Sequence, residues 1–446
     1  MIRIPKNIEH KSIILIFLLL CALCVGQYLG IAAINLLLTI LIIGVTVFAE
    51  LDDQFVIMFA TLPLYNVINY RVGTYSMHYL IIGIFIVKYF LNTKISIYKL
   101  IAFLILFVLR IFAADFVLLV SWSILILPLV LTLDDPIWRR CIHRVVFWMN
   151  AGMLLSCLAG YIMMIMHKTI YTTAYLYISG VETVRFAGLT GDSTVFGQTC
   201  VLVIGINLVY CFFNPNRKAF YIVTSVLLTM ASLLSYSKMT LMCTALIVLI
   251  FLVLYAKEYA GSGKKLLLSI VFAGILLAMI LILFIFLTNY NGDSALLLGY
   301  IDRFTRDDLS TGRFSLWGIY LKMLTSTPRY LFVPLTSEEL STPIWNATTG
   351  GYVAYVHNLY LETVAAFGWC ASILIFVWLI RRLYIFVAAK NKLILGLPML
   401  VILFMGFSSH GNFEYQFYLQ LAVALAFLHP EMAQALKKGD DKDAYD

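Results

Sequence analysis

The sequence predicts an all-α polytopic membrane protein of about 12–14 transmembrane helices with one large, partly helical loop on its outer side. Three observations predict it. Of the 446 residues, 62% are hydrophobic and 12% charged, far outside the soluble range. Apolar runs approaching membrane-spanning length recur along nearly the whole chain. The basic residues collect on alternate connections, as the positive-inside rule requires.

The expected spans are 13–29, 32–49, 55–69, 77–91, 98–112, 116–133, 143–166, 194–213, 219–235, 238–256, 265–288, 357–380, 393–409 and 415–428. Runs 55–69 and 98–112 are short enough to be half-helices or re-entrant segments, which would lower the count to about twelve. The apolar stretch after Lys11 has no small-residue cleavage site before the second run, so it reads as an uncleaved first helix. The eight cysteines lie within or beside apolar runs, and Cys21-x-x-Cys24 has no metal or redox partners nearby in sequence. They read as packing residues.

With the N-terminus placed in the cytoplasm, most of the 31 basic residues fall on the inner side, including Arg139, Arg140, Arg144, Arg381 and Arg382. Arg71, Arg110, Lys168, Arg185, Lys238, Arg303, Arg306, Arg313, Lys322 and Arg329 fall on the outer side. Acidic residues divide about evenly. The net charge of +8 therefore encodes orientation rather than nucleic-acid binding. Both termini are expected in the cytoplasm. The chain divides into N-terminal membrane helices (1–190), core membrane helices (191–288), a long outer loop (289–356), C-terminal membrane helices (357–430) and a solvated tail (431–446).

Two connections are long, about 167–193 and about 289–356, and long loops in a compact bundle tend to be functional. In the second, Phe314, Trp317, Leu321 and Leu324 recur at helical spacing after Ser310-Thr311-Gly312. This predicts an amphipathic helix at the membrane interface that ends before Pro328. Gly261-Ser262-Gly263-Lys264-Lys265 imitates a phosphate loop, but Lys265 stands where Ser or Thr is needed, Glu258 replaces the first glycine and no strand precedes it.

Polar residues gather at the outer ends of four elements. These are Arg185-Phe186-Ala187-Gly188 through Asp192, Ser235-Tyr236-Ser237-Lys238, Gly312-Arg313 through Trp317, and His357-Asn358-Leu359-Tyr360-Leu361-Glu362. A further turn carries Ser408, His410, Asn412 and Glu414, and Arg110 adds charge to the same face by topology. Imidazole, amide and carboxylate groups at the head of an apolar helix are costly in lipid and usually line a wet cavity or a substrate path. Each has a structural alternative: His357 capping its helix, Arg313 and Arg185 anchoring to headgroups. Arg110 and His410 rest on topology alone.

The run from about 185 to 370 resembles the core of the O-antigen polymerase and O-antigen ligase superfamily, the Wzy and WaaL membrane proteins. That family has an Arg-x-x-Gly segment, a Ser-Arg pair, Gly-Arg-x-x-x-Trp in a large periplasmic loop, and His-Asn-x-Tyr-Leu with a glycine about ten residues on. Here these are Arg185 to Gly188, Ser237-Lys238, Gly312 to Trp317, and His357 to Leu361 followed by Gly368. Lys238 departs from the family's arginine, keeping the charge without the planar fork that grips phosphate.

The resemblance implies a glycosyltransferase type C-like fold in the bacterial inner membrane, with the active site on the periplasmic side. It also implies transfer of a glycan from undecaprenyl diphosphate to a sugar hydroxyl, with inversion and without a metal or nucleotide cofactor. The implied partners are an undecaprenyl-diphosphate-linked oligosaccharide and membrane lipid, with a chain-length regulator protein as a further candidate. Arg185 and Arg313 are the expected stabilisers of the departing diphosphate. His357 is the expected base or orienting group for the acceptor. Lys238, Asn358, Tyr360, Glu362, His410, Glu414 and Arg110 are the expected substrate contacts.

Three functions compete. A polymerase extends onto another lipid-linked repeat unit, and a ligase onto lipid A-core. A flippase would need cations near the bilayer midplane and repeated halves. The cations here stand at helix ends, and the departures from the family pattern fit the variable polymerases better than the more uniform ligases. All of it requires Arg185, Arg313 and His357 to share one pocket.

Overall fold

The computed structural model describes residues 11–68, 77–112, 116–166, 175–178, 181–214, 218–259, 313–336, 338–339, 344–346, 351–353, 356–389, 392–408 and 417–438. The expected span 265–288, the turn at 310–312, and the candidates His410 and Glu414 lie outside the described residues, as do Arg71, Lys168, Arg303 and Arg306.

The protein is an all-α polytopic membrane protein. Its helices are α1 (Lys11–Leu29), α2 (Ala32–Phe48), α3 (Leu51–Ala60), α4 (Met77–Asn92), α5 (Ile97–Ile111), α6 (Phe116–Thr132), α7 (Ile137–Ile165), α8 (Ser193–Phe213), α9 (Lys218–Leu233), α10 (Lys238–Tyr259), α11 (Arg313–Thr325), α12 (Leu359–Ala388), α13 (Leu397–Met405), α14 (Phe417–Phe427) and α15 (Met432–Lys438). Two short antiparallel hairpins interrupt the long loops: β1 (Tyr175–Ile178) with β2 (Val181–Val184), and β3 (Ile344–Asn346) with β4 (Gly351–Val353).

Among the described residues five helices are long and apolar enough to cross a membrane: α1, α7, α8, residues Lys238–Lys257 of α10, and α12. The other apolar helices have 10–17 residues, so several expected spans are shorter than a bilayer. Segment 55–69 is one of these. It holds most of α3 and a 3-10 turn at Leu62–Leu64, and Phe55, Val56, Ile57, Met58 and Phe59 are fully buried. A helix apolar on every side belongs inside a bundle, and α3 sits there against α7. Gly152 makes that fit possible, because a Cβ there would stand 2.2 Å from the Ala60 carbonyl oxygen.

The centre is α8. Its membrane-length window is 94% buried, against 33% for α1 and 28% for α10, so α8 is shielded by protein while the other two face lipid. Polar groups inside this core pair with each other. Asn150 and Asn207 exchange amide hydrogen bonds of 2.8 Å, and Asn207 also donates to Thr224 at 3.2 Å. Burial without such partners would cost about 1–3 kcal/mol per group.

Ion pairs gather where α3, α6 and α7 meet α12 and the connection before α15. Arg140 pairs with Asp52 at 3.1 Å, Arg144 with Asp53, Arg139 with Glu431, and Arg382 with Asp134. These arginines share one end of the bundle, as their assignment to a single side requires. The eight cysteines are free thiols, buried or half-buried.

Candidate active site

At the opposite end, the segment after β2 closes onto the turn between α9 and α10. Arg185 Nε donates to the Ser235 carbonyl at 2.9 Å, and Phe186 N donates to the Leu234 carbonyl at 2.9 Å. Gly188, at φ +55°, is fixed by crowding: a Cβ there would stand 2.7 Å from both Phe196 and Ser156 Oγ. The facing Gly160 of α7 would bring a Cβ within 2.8 Å of the Gly188 backbone. The glycine of the Arg-x-x-Gly segment is therefore a packing requirement that seats Arg185. Asp192 then caps α8, accepting from Thr194 N at 2.6 Å and Val195 N at 2.9 Å.

Lys238 and Arg313 are the first residues of α10 and α11. A cation at a helix N-terminus opposes the macrodipole and costs about 0.3–1 kcal/mol, whereas an anion is welcome there. Both residues are half-buried, as are Arg185 and His357.

Arg313 Nη1 donates to Ser408 Oγ on the turn after α13. Burial, reinforced by the like charge of Arg185, pushes its guanidinium below the ordinary arginine value. Among the described residues Arg313 makes no salt bridge: its neighbours are a neutral hydroxyl and a second guanidinium.

Two links join Arg313 to His357. Trp317, one turn along α11, donates from Nε1 to the Val356 carbonyl at 3.1 Å. The turn that holds Ser408 also accepts the Leu359 N–H, at the Gly406 carbonyl, at 2.8 Å. The buried face of α11 is Leu316, Tyr320 and Leu324, with Trp317 half-buried. Phe314 and Leu321, expected on the same stripe, are exposed at 69% and 44%. The helix lies where its spacing predicts, but its contact with α12 selects a face rotated from the apolar stripe.

His357 has φ +52°, a left-handed backbone uncommon for a residue with a side chain. The chain turns there sharply into α12. Asn358 is the N-cap, its Oδ1 accepting from Tyr360 N at 3.0 Å and Leu361 N at 3.1 Å. The capping role open to His357 thus belongs to Asn358, which immediately precedes the helix. Tyr360 Oη donates to the Leu403 carbonyl at 2.6 Å. Glu362 is 2% exposed and Arg110 1%. Of the expected substrate contacts, the Oδ1 of Asn358 and the hydroxyl of Tyr360 are engaged by the fold, and the charges of Glu362 and Arg110 lie beneath the surface.

The helix breaks ten residues below Asn358. Gly368 has φ +77° and ψ 167°, a region essentially reserved for glycine. The break releases carbonyls that neighbours then satisfy: Leu335 N donates to Ala365 O at 2.9 Å, and Ser372 Oγ to Thr363 O at 2.9 Å. Residues 359–367 therefore form a short half-helix with His357 at its head.

Sequence reasoning missed Tyr418 and Trp122. Tyr418 Oη accepts from Trp122 Nε1 at 2.8 Å across 296 positions, with no local signal in either apolar helix.

The fold and this cluster define a polytopic membrane protein with cations at converging helix ends. Residues 223–376 match the family model described as O-antigen ligase, which supports a place in the O-antigen polymerase and ligase superfamily, whose members are membrane glycosyltransferase-like enzymes. The match contains Lys238, Arg313, His357, Asn358, Tyr360 and Glu362, while Arg185 and Arg110 lie outside it. No curated protein and no solved structure matches the chain.

Proposed function

We propose that this protein is an O-antigen, or related surface-polysaccharide, polymerase. It moves the growing glycan from undecaprenyl diphosphate to a sugar hydroxyl of the next lipid-linked repeat unit, on the periplasmic face of the inner membrane. One observation carries the reading: Arg313, half-buried and held near a second arginine, has no acidic partner among the described residues. Two guanidinium groups brought together repel each other, and the arrangement gains stability when an anion with several negative oxygens enters.

In the proposed step the acceptor oxygen attacks the anomeric carbon from the face opposite the diphosphate. The bond from that carbon to the leaving oxygen breaks, and its electron pair departs with the undecaprenyl diphosphate. Arg313 and Arg185 stabilise the charge that builds there, while Lys238 adds a positive charge at the head of α10. The acceptor proton passes to the His357 imidazole, whose left-handed backbone turns it out of the helix it precedes.

The match to an O-antigen ligase family model favours a second reading, a ligase that transfers glycan to lipid A-core. The surface-glycan phenotype of a deletion strain separates the functions. A single repeat unit on capped lipid A-core supports the polymerase. Polymer accumulating on its carrier means a ligase, and loss of all external repeat units means a flippase.

A further inference from the structure

Beneath the half-helix 359–367 lies a group of buried polar side chains that the transfer step does not use. Arg110 ends α5, Glu362 stands in the first turn of α12, and Tyr418 opens α14; they are 1%, 2% and 4% exposed. Helices α5 and α12 pack together, Arg110 interacts electrostatically with Tyr418 and Glu362, and Trp122 of α6 holds the Tyr418 hydroxyl at 2.8 Å. A buried arginine and a buried glutamate inside an apolar bundle are each strongly unfavourable alone, and the opposite charge nearby offsets part of that penalty.

Every other polar group of the half-helix also faces the protein. Asn358 caps it, Tyr360 ties it to α13, and Leu335 and Ser372 satisfy the carbonyls freed at Gly368. His357 itself is half-buried at the head of this half-helix.

We propose that Arg110, Glu362 and Tyr418 form a charge-compensated clamp that fixes the half-helix 359–367 and so sets the position of His357. Asn358, Tyr360 and Glu362 are then positioning residues rather than contacts for a sugar. The consequence for catalysis rests on the transferase reading above; the clamp itself does not.

The test uses the full chain purified in detergent and hydrogen exchange of peptides covering 356–367, with α8 peptides as the internal control. The near-isosteric Glu362→Gln leaves Arg110 charged and buried, and Arg110→Gln leaves Glu362 so. Each single variant is expected to raise exchange in 356–367 by about tenfold or more while α8 stays protected. The double variant buries no net charge and is expected to exchange more slowly than either single one, and Arg110→Lys to stay near the parent. The same variants are assayed for surface-glycan chain length, with elongation falling in the single variants and partly returning in the double.

Unchanged exchange in the single variants overturns the clamp, as do single effects that simply multiply in the double. Lost elongation with unchanged exchange also overturns it, because the side chains would then be touching substrate. If Arg110→Gln fails to accumulate, accumulation restored by adding Glu362→Gln supports the pairing. Exchange that behaves as expected in a protein whose deletion leaves surface glycans unaltered upholds the clamp and removes the transferase reading alone.

Discussion

The four arginines paired at one end of the bundle have different neighbours from Arg313 at the other. At one end Arg140, Arg144, Arg139 and Arg382 each meet a carboxylate, from Asp52, Asp53, Glu431 and Asp134. At the other, Arg313 meets a serine hydroxyl and the field of Arg185. Matched charges fasten helices to each other. Under the proposed function, a half-buried cation whose neighbours among the described residues are a hydroxyl and a like charge is relieved by an incoming anion.

The largest test of this contrast exchanges one arginine from each end for alanine. Arg313→Ala is expected to reduce chain elongation by about a hundredfold or more while the protein still accumulates in the membrane. Arg140→Ala, at the matched end, leaves the glycan ladder unchanged. Gel profiles of surface glycan beside immunoblots of membrane fractions read both, and equal losses would erase the distinction between the ends.

A smaller effect is expected at the helix break. Gly368→Ala puts a Cβ 3.2 Å from the Phe332 carbonyl carbon on a backbone only glycine adopts readily, and should destabilise the site end by about 1–3 kcal/mol. A lower midpoint of thermal unfolding in detergent, with shortened chains, is the expected result. An unshifted midpoint would mean that the half-helix geometry is not required.

The smallest belongs to the matched end. Arg382 donates to Asp134 at 2.9 Å, with a second hydrogen bond alongside, but the Asp134 side chain is 48% exposed and the pair is partly screened. Arg382→Ala should lower stability by no more than about 1 kcal/mol and leave chain length untouched. A loss as large as that of Gly368→Ala would show the pair to be more than a surface tie.

Most of the fold was legible because apolar composition marks membrane helices directly. Span ends at 29, 213 and 256 fall within a few residues of helix ends at Leu29, Phe213 and Tyr259. Full-length spans were harder to tell from buried half-helices. The described parts of 55–69 and 393–409 are apolar enough to look like spans, but most of their apolar side chains are covered by surrounding protein. In the candidate site, polar residues near helix ends singled out Arg185, Lys238, Arg313 and His357 as candidates. What spacing did not show is that Asn358 stands outside the helix as its cap.

The sequence by itself determined the membrane class, the two long loops, the helix at Arg313–Thr325 and the chemical groups available at one end of the bundle. Hydropathy and helical spacing are local properties, readable over a few turns. Only the tertiary structure decided which of those groups stay near the surface and which are drawn inward. That choice depends on partners far apart in the chain, such as Trp122 with Tyr418 and Trp317 with Val356, and on a single glycine that breaks α12 and lets a short half-helix take its own direction.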